Sequence, residues 1–277
     1  MLATCVLLAA VTLIAKLLGA QPDGLGLHPF QISAARFLFA WVAISVVVAV
    51  LRPNFQGTHW PNHIARSVLG WLSGTCLFAA AALIPLASAT ALSFLSPVVT
   101  MVLAMFLLSE KVGRWRWSAA GIALIGALVL TQPGSDTFQI GALIAIAAAL
   151  FMGMEGIFLK KLSDTEPAVR ILFVNNSIGM LVSVSVASFF WTWPTAEGWA
   201  LMAAIGLTMI VAQALLIQAM KRGDASLLVP LFYTILIFSG LLDFAVFGVI
   251  PELAAWIGAA LIVCGAVIIS IRGRRQG

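Results

Sequence analysis

The sequence predicts an all-α integral membrane protein of ten transmembrane helices, arranged as two inverted five-helix repeats with both termini cytoplasmic. Three observations predict it: ten apolar stretches of spanning length, a strict alternation of basic and non-basic connections, and an internal repeat holding an odd number of helices.

The apolar stretches run from Leu2 to Leu18, Phe30 to Leu51, Ile64 to Ile84, Leu86 to Ser109, Trp117 to Thr131, Phe138 to Leu159, Val169 to Phe190, Trp199 to Met220, Ala225 to Ile250 and Ala254 to Ile271. About 20 apolar residues in a helix span the ~30 Å hydrocarbon layer. Composition agrees, with 62% hydrophobic and 9% charged residues, values that do not describe the surface of a soluble domain. Thirteen of the fifteen Lys and Arg residues fall on alternate connections or the tail: Arg52 and Arg66; Lys111, Arg114 and Arg116; Lys160, Lys161 and Arg170; Lys221 and Arg222; Arg272, Arg274 and Arg275. The other connections carry only Asp23, Asp136, Glu197 and Glu252. Short loops rich in Lys and Arg resist translocation, so the basic side reads as cytoplasmic, and the even number of spans puts both termini there. The same anchoring role accounts for the basic balance, leaving no stripe for nucleic acid.

The first stretch has no positive n-region, and its one charge, Lys16, lies near its far end. It therefore reads as a retained helix although Leu18-Gly19-Ala20 resembles a cleavage site. The second contains Arg36 and Trp41, the third Trp71 with the Gly70/Gly74 close-packing pair, and the fourth Pro97 preceded by Phe94 and Ser96. The fifth carries Gly121-Ile122-Ala123-Leu124-Ile125; the sixth carries Phe151, Glu155 and the small pair Gly153 and Gly156. Asn175 and Asn176 are polar positions in the seventh and Gln213 in the eighth. The ninth holds Pro230, Asp243 and Tyr233, the single tyrosine of the chain. The tenth carries Gly258-Ala259-Ala260-Leu261-Ile262, which echoes the fifth.

That echo is one of three kept in order. Arg36-Phe37-Leu38-Phe39 matches Arg170-Ile171-Leu172-Phe173, and Pro97 matches Pro230. Five helices per unit make the second copy inverted, the arrangement of carriers that alternate between two faces.

Apart from Arg66 and Arg170, counted with the basic connections they adjoin, four charged residues lie within the predicted spans, and each is expensive there without a partner, a wet cavity or a route to the interface. Lys16 and Glu155 lie close enough to helix ends to snorkel, Glu155 toward Lys160. Arg36 and Asp243 are each about two turns from the non-basic end. They read either as each other's partner or, for Asp243 and Glu155, as a protonatable coupling group. Pro97 and Pro230 each leave a carbonyl without its helical donor, and paired helix breaks point to a transporter's binding site. Around them, Trp41, Trp71, Phe94, Ser96, Phe151, Asn175, Gln213 and Tyr233 are the candidates to line a substrate cavity, with Tyr233 offering a stacking face. The simpler reading for the aromatics is lipid or core packing, and for the amides a bond between helices.

His28, His59 and His63 read as loop residues, and Cys5, Cys76 and Cys264 as packing residues within spans; no metal-ligand spacing, catalytic elbow or phosphate loop is present. The chain therefore reads as a non-enzyme without cofactor or metal. Its expected partners are a small-molecule substrate, the lipid bilayer and a proton or other coupling ion, as monomer or homodimer. A lipid flippase or a structural membrane subunit is the alternative from another class.

Ala34-Ala35-Arg36, Ser96-Pro97 ahead of Glu110, and the Gly121 pattern make the chain resemble a permease of the drug/metabolite transporter superfamily with two EamA-type repeats, residues 1–132 and 137–272, and a short basic tail, 273–277. The run from Pro230-Leu231-Phe232-Tyr233 to Phe247-Gly248-Val249-Ile250-Pro251 is similar to the subgroup of riboflavin and S-adenosylmethionine permeases, which often has an acidic residue where this chain has Val249. The resemblance implies a cavity lined by the first, third, fourth, sixth, eighth and ninth helices, with the fifth and tenth as scaffold. It also implies an inner-membrane permease for a planar or amphipathic vitamin-, nucleoside- or amino-acid-like solute, or an amino-acid or drug exporter of the same fold.

Overall fold

The computed structural model describes residues 1–19, 25–83, 92–131, 140–248 and 253–272. Among the described residues every regular element is helical: α1 (Leu2–Leu18), α2 (Pro29–Leu51), α3 (Trp60–Leu83), α4 (Ser96–Leu107), α5 (Arg114–Thr131), α6 (Ile140–Thr165), α7 (Ala168–Ala187), α8 (Ala196–Arg222), α9 (Thr234–Phe247) and α10 (Leu253–Arg272), with short 3-10 turns at Ser188–Phe190 and Val229–Tyr233. Helices satisfy their own backbone, which is what an apolar solvent requires. Among the described residues five stretches are long and apolar enough to cross a membrane: Pro29–Leu51, Ile140–Thr165, Ala168–Phe190, Ala196–Arg222 and Ala225–Val246.

Local chemistry sets several ends. His28 precedes Pro29 and its Nδ1 accepts the Phe30 amide at 3.3 Å, while Thr195 caps α8 by accepting the Gly198 amide at 3.1 Å. Gly248 closes α9 in the left-handed region at φ +67°, a conformation glycine adopts without strain.

Helix packing follows a simple exchange. Helix α5 lies along α10 and α2 along α7, each against the helix five places later. The α3–α6 pair is matched by α8–α1, α4–α6 by α9–α1, and α2–α8 by a looser approach of α7 to α3. Two apolar clusters close the ends of the bundle. Ile44, Leu159, Leu162, Ile171, Ile217 and Met220 pack at the basic end. Leu18, Leu27, Ala35, Met202 and Ile205 pack at the other.

The two proline-marked stretches, the fourth and the ninth, are broken near their prolines. The fourth turns at Phe94 and Leu95 before α4 begins at Ser96; its positions 86–91 lie outside the described residues. The ninth is a single turn, Ala225–Leu228, then a 3-10 segment, Val229–Tyr233, then α9. Proline accounts for both, because it cannot donate to the preceding turn. Three residues read as loop groups lie inside helices. His63 and Arg66 belong to the first turns of α3, and Arg116 belongs to α5; they are 1%, 4% and 3% exposed. The hydropathy window ends where charge begins, but a helix continues wherever a facing chain can pair that charge.

Candidate functional site

Between the two apolar clusters lies a polar layer. From α6, Glu155 approaches Arg66 of α3, Nε to Oε1 3.9 Å, and also interacts electrostatically with Arg36 of α2. Gly70 makes room for it, since a Cβ there would stand 3.1 Å from the Glu155 carboxyl carbon. Glu155 thus faces Arg66, whereas Lys160 binds Asp164 at 2.8 Å and the Met220 carbonyl at 2.7 Å. Arg66 is buried, and its Nε and Nη1 have no hydrogen-bond partner among the described residues. Sequence reading misses Arg66 because its charge looks like a topology signal at the start of a span. Arg36 lies with its Cζ 4.4 Å from the centre of the Phe37 ring, a cation–π arrangement. The Asp243 backbone is part of α9; its side chain, and with it the expected pairing to Arg36, lies outside what the structure describes.

A strip of amides and hydroxyls flanks the charges on α7. Ser67 donates to Asn175 at 3.5 Å. Asn176 donates to the Leu172 carbonyl at 2.8 Å and to Gln213 of α8 at 3.2 Å, and the Trp41 indole donates to Ser177 at 3.0 Å. Trp41, Asn175 and Gln213 therefore tie α2, α3, α7 and α8 together. Trp71 lies elsewhere: it is 49% exposed and lines a cleft of about 180 Å³ between α3 and α7 with Ser67, Val68, Ile178 and Val182.

The helix breaks form a third group. Tyr233 donates its hydroxyl to the Phe94 carbonyl at 2.6 Å, joining the break before α9 to the break before α4. The two rings are 5.8 Å apart. Tyr233 is completely buried against Ala123, Ala127 and Ile262 of α5 and α10, so its stacking faces are covered by the chain. Pro97 and Pro230 are both buried. Ser96 donates to the Met152 sulfur at 3.2 Å, and Thr100 donates to the carbonyls of Ser96 at 3.0 Å and Gly153 at 3.2 Å. Phe151 is half-buried on α6, and Lys16 is half-buried in the last turn of α1.

Two carboxylates that the sequence did not single out as site groups clamp the basic end. Glu110 accepts the amides of Ala225 and Ser226 at 2.9 and 3.0 Å and the Ser226 hydroxyl at 2.5 Å. Arg116 reaches the same turn through Ser226 and Asp224, both at 2.7 Å. Glu166, 3% exposed, accepts the His59 amide at 2.7 Å and faces His63 Nε2 at 3.1 Å and Arg170 Nη1 at 3.6 Å; Arg170 in turn holds the Asn54 carbonyl. Burial pushes the Glu166 carboxyl up, but the His59 amide, His63 and Arg170 outweigh it and hold the group below the usual carboxylate range. Burial lowers His63, with Glu166 offsetting part of the effect. Both residues lie just outside the apolar stretches, and only their meeting across α3 and the α6–α7 junction marks them.

A helical bundle with paired breaks and a buried polar layer defines a polytopic membrane protein of the carrier class. The EamA-like transporter family matches residues 1–132 and again 139–271, and the chain belongs to that family. It is 27% identical to the S-adenosylmethionine uptake transporter of Rickettsia bellii, covering 89% of this chain and 85% of that one. It is 30% identical to the riboflavin transporter of Rhizobium johnstonii, covering 76% and 71%, and 26% identical to the pseudopaline exporter of Pseudomonas aeruginosa, covering 76% and 75%. A solved crystal structure shares the fold with a TM-score of 0.84 at 23% identity, covering 98% of this chain and 96% of its own.

Proposed function

We propose that this transporter is a secondary-active permease for a small organic metabolite, working by alternating access in the inner membrane with both termini cytoplasmic. The observation that carries the reading is the Tyr233–Phe94 hydrogen bond between two proline-marked helix breaks, in a bundle that also holds the Arg66–Glu155 ion pair. A break lets the two ends of a helix move separately, and a bond between breaks couples those movements across the halves. The best substrate reading is a planar or amphipathic vitamin-, nucleoside- or amino-acid-like solute such as riboflavin or S-adenosylmethionine, supported by the relatives' names. Glu155 and Asp243 are the candidates for coupling to a proton or other ion. Uptake of labelled riboflavin and S-adenosylmethionine into proteoliposomes, with and without a pH gradient, tests the reading; wild-type protein that exchanges neither solute under any gradient argues against it. Single-cysteine labelling in intact cells tests the orientation, and external labelling of Arg114→Cys overturns it.

A further inference from the structure

Resting on the alternating-access reading, we infer that Glu110 and Arg116 latch the turn at Asp224, Ala225 and Ser226 on the basic face alone, so that the empty carrier rests closed there and opens first toward the opposite face. The two broken helices carry the argument. Helix α4 is followed by a left-handed residue, Ser109 at φ +55°, and α9 by another, Gly248 at φ +67°. The dipeptide Ala225-Ser226 that opens the ninth stretch recurs as Ala87-Ser88 in the fourth. In an inverted repeat the tail of each broken helix lies on the face where the other begins, and access alternates as one repeat rocks against the other. The tail of α4 therefore meets the start of the ninth stretch when the basic face is shut. The tail of α9 has the corresponding task on the other face.

On the basic face the latch is built from charged groups. The Glu110 amide donates to the Ala104 carbonyl at 3.2 Å, which holds the residue after Ser109 against its own helix end. Its carboxylate accepts the Ala225 and Ser226 amides and the Ser226 hydroxyl. Arg116 donates to the same hydroxyl and to the Asp224 carboxylate. Every one of these bonds runs from the first half to the second, and bonds to ionised groups are about twice as strong as neutral ones. Parting the halves at this face breaks all of them together. On the opposite face the residue after Gly248 is Val249, Leu86 precedes Ala87-Ser88 where Asp224 precedes Ala225-Ser226, and α10 has no basic residue before Arg272. Glu252, the acid of that connection, lies beyond Pro251. Gln31, in the first turn of α2 at that end, joins the halves through uncharged bonds: it donates to the Thr192 carbonyl and accepts the Thr192 amide and hydroxyl. Opening the basic face thus costs charge-assisted bonds, and opening the other face costs neutral ones.

The test measures the separation of the two tails in full-length protein in lipid nanodiscs without added solute. Spin labels are placed on the exposed positions Lys111→Cys and Lys221→Cys, with Cys5, Cys76 and Cys264 replaced by Ser. The expected result is a single short separation when Glu110 is present. Glu110→Gln raises the ratio of long to short separations about tenfold or more. Val249→Glu, which removes no contact and gives the opposite face its carboxylate, raises the same ratio with Glu110 intact; a loss of folding cannot produce that change. Adding Glu252→Gln to Glu110→Gln leaves the ratio where Glu110→Gln put it. A short separation unmoved by Glu110→Gln overturns the latch. No rise in Val249→Glu, or a shift on adding Glu252→Gln, overturns its one-sidedness and with it the inference. Exchange of labelled S-adenosylmethionine and riboflavin in proteoliposomes separates this from the permease reading. Exchange of either solute with unmoved separations sinks the latch and leaves the permease standing, whereas exchange of neither counts against the permease and leaves the separations to decide the latch.

Discussion

Two of the seams that join the halves of this bundle are built from opposite materials. Along α5 and α10 the contact is backbone on backbone: a Cβ at Gly126 would lie 2.7 Å from the Gly258 carbonyl oxygen, and one at Gly265 would lie 2.7 Å from that of Ala119. Toward the basic end of α3 and α6 the contact is polar, with Arg66 facing Glu155 and His63 facing Glu166 just beyond α6. A seam of small residues in lipid is held by close dispersion and has no alternative packing at the same distance. A seam of polar groups with unmade donors has other arrangements open to it. The first is suited to stay fixed while the second rearranges.

Breaking the fixed seam should have the largest effect. Gly126→Leu drives a side chain into backbone and should cost about 1–3 kcal/mol or more, whereas Gly121→Leu on the same helix, where nothing lies within 4 Å of the added Cβ, should be tolerated. Thermal unfolding in detergent checks the pair, and equal stabilities of the two variants contradict the assignment.

Acid should loosen the charged seam first at its basic end. Glu166 is held low, so its contribution is present above the ordinary carboxylate value and lost as pH falls through the folded one. His63 is also held low, so below its ordinary value of 6.5 the unfolded chain binds a proton that the folded site resists. Both signs remove stability on acidification, beginning near pH 6.5. The apparent Tm should therefore fall from pH 7.5 to 5, and His63→Gln should flatten the upper part of that decline. An unchanged slope in His63→Gln assigns the acid response to other groups.

Tyr233 stands where the two behaviours meet, its ring packed on the fixed seam and its hydroxyl on the Phe94 carbonyl. Tyr233→Phe keeps the ring and removes the bond to the part-buried Phe94 carbonyl, at a cost of about 1 kcal/mol. Transport should fall more than the modest loss of Tm suggests. Wild-type turnover in Tyr233→Phe would limit the residue to packing.

The smallest stability effect is expected at Gly70→Ala, because the neighbour displaced is the end of the flexible Glu155 side chain. Stability should change by less than about 1 kcal/mol while substrate affinity shifts, a split that binding and melting measurements on the same preparation resolve.

The limits of α1 coincide with its apolar run, from Leu2 to Leu18, since a membrane helix and a hydropathy window answer to the same requirement that backbone polarity be hidden from lipid. The alternation of basic connections and the order of the repeated motifs are equally local, and with them the class of protein is legible in the chain alone. Pro97 and Pro230 also announce themselves, because an absent N–H is a property of the residue. The sequence does not tell which way a helix is turned about its axis. Tyr233, read as an open stacking face, has its ring against Ala123 and Ile262. Arg66, read as a loop charge, is four residues ahead of the glycine that admits Glu155. Glu110 and Glu166 are ordinary end-of-helix acids until Ser226 and His63 arrive from distant segments. Burial in lipid determined that helices form and how long they are; only tertiary packing, by setting helix rotation and the approach of remote turns, decided which polar groups face one another.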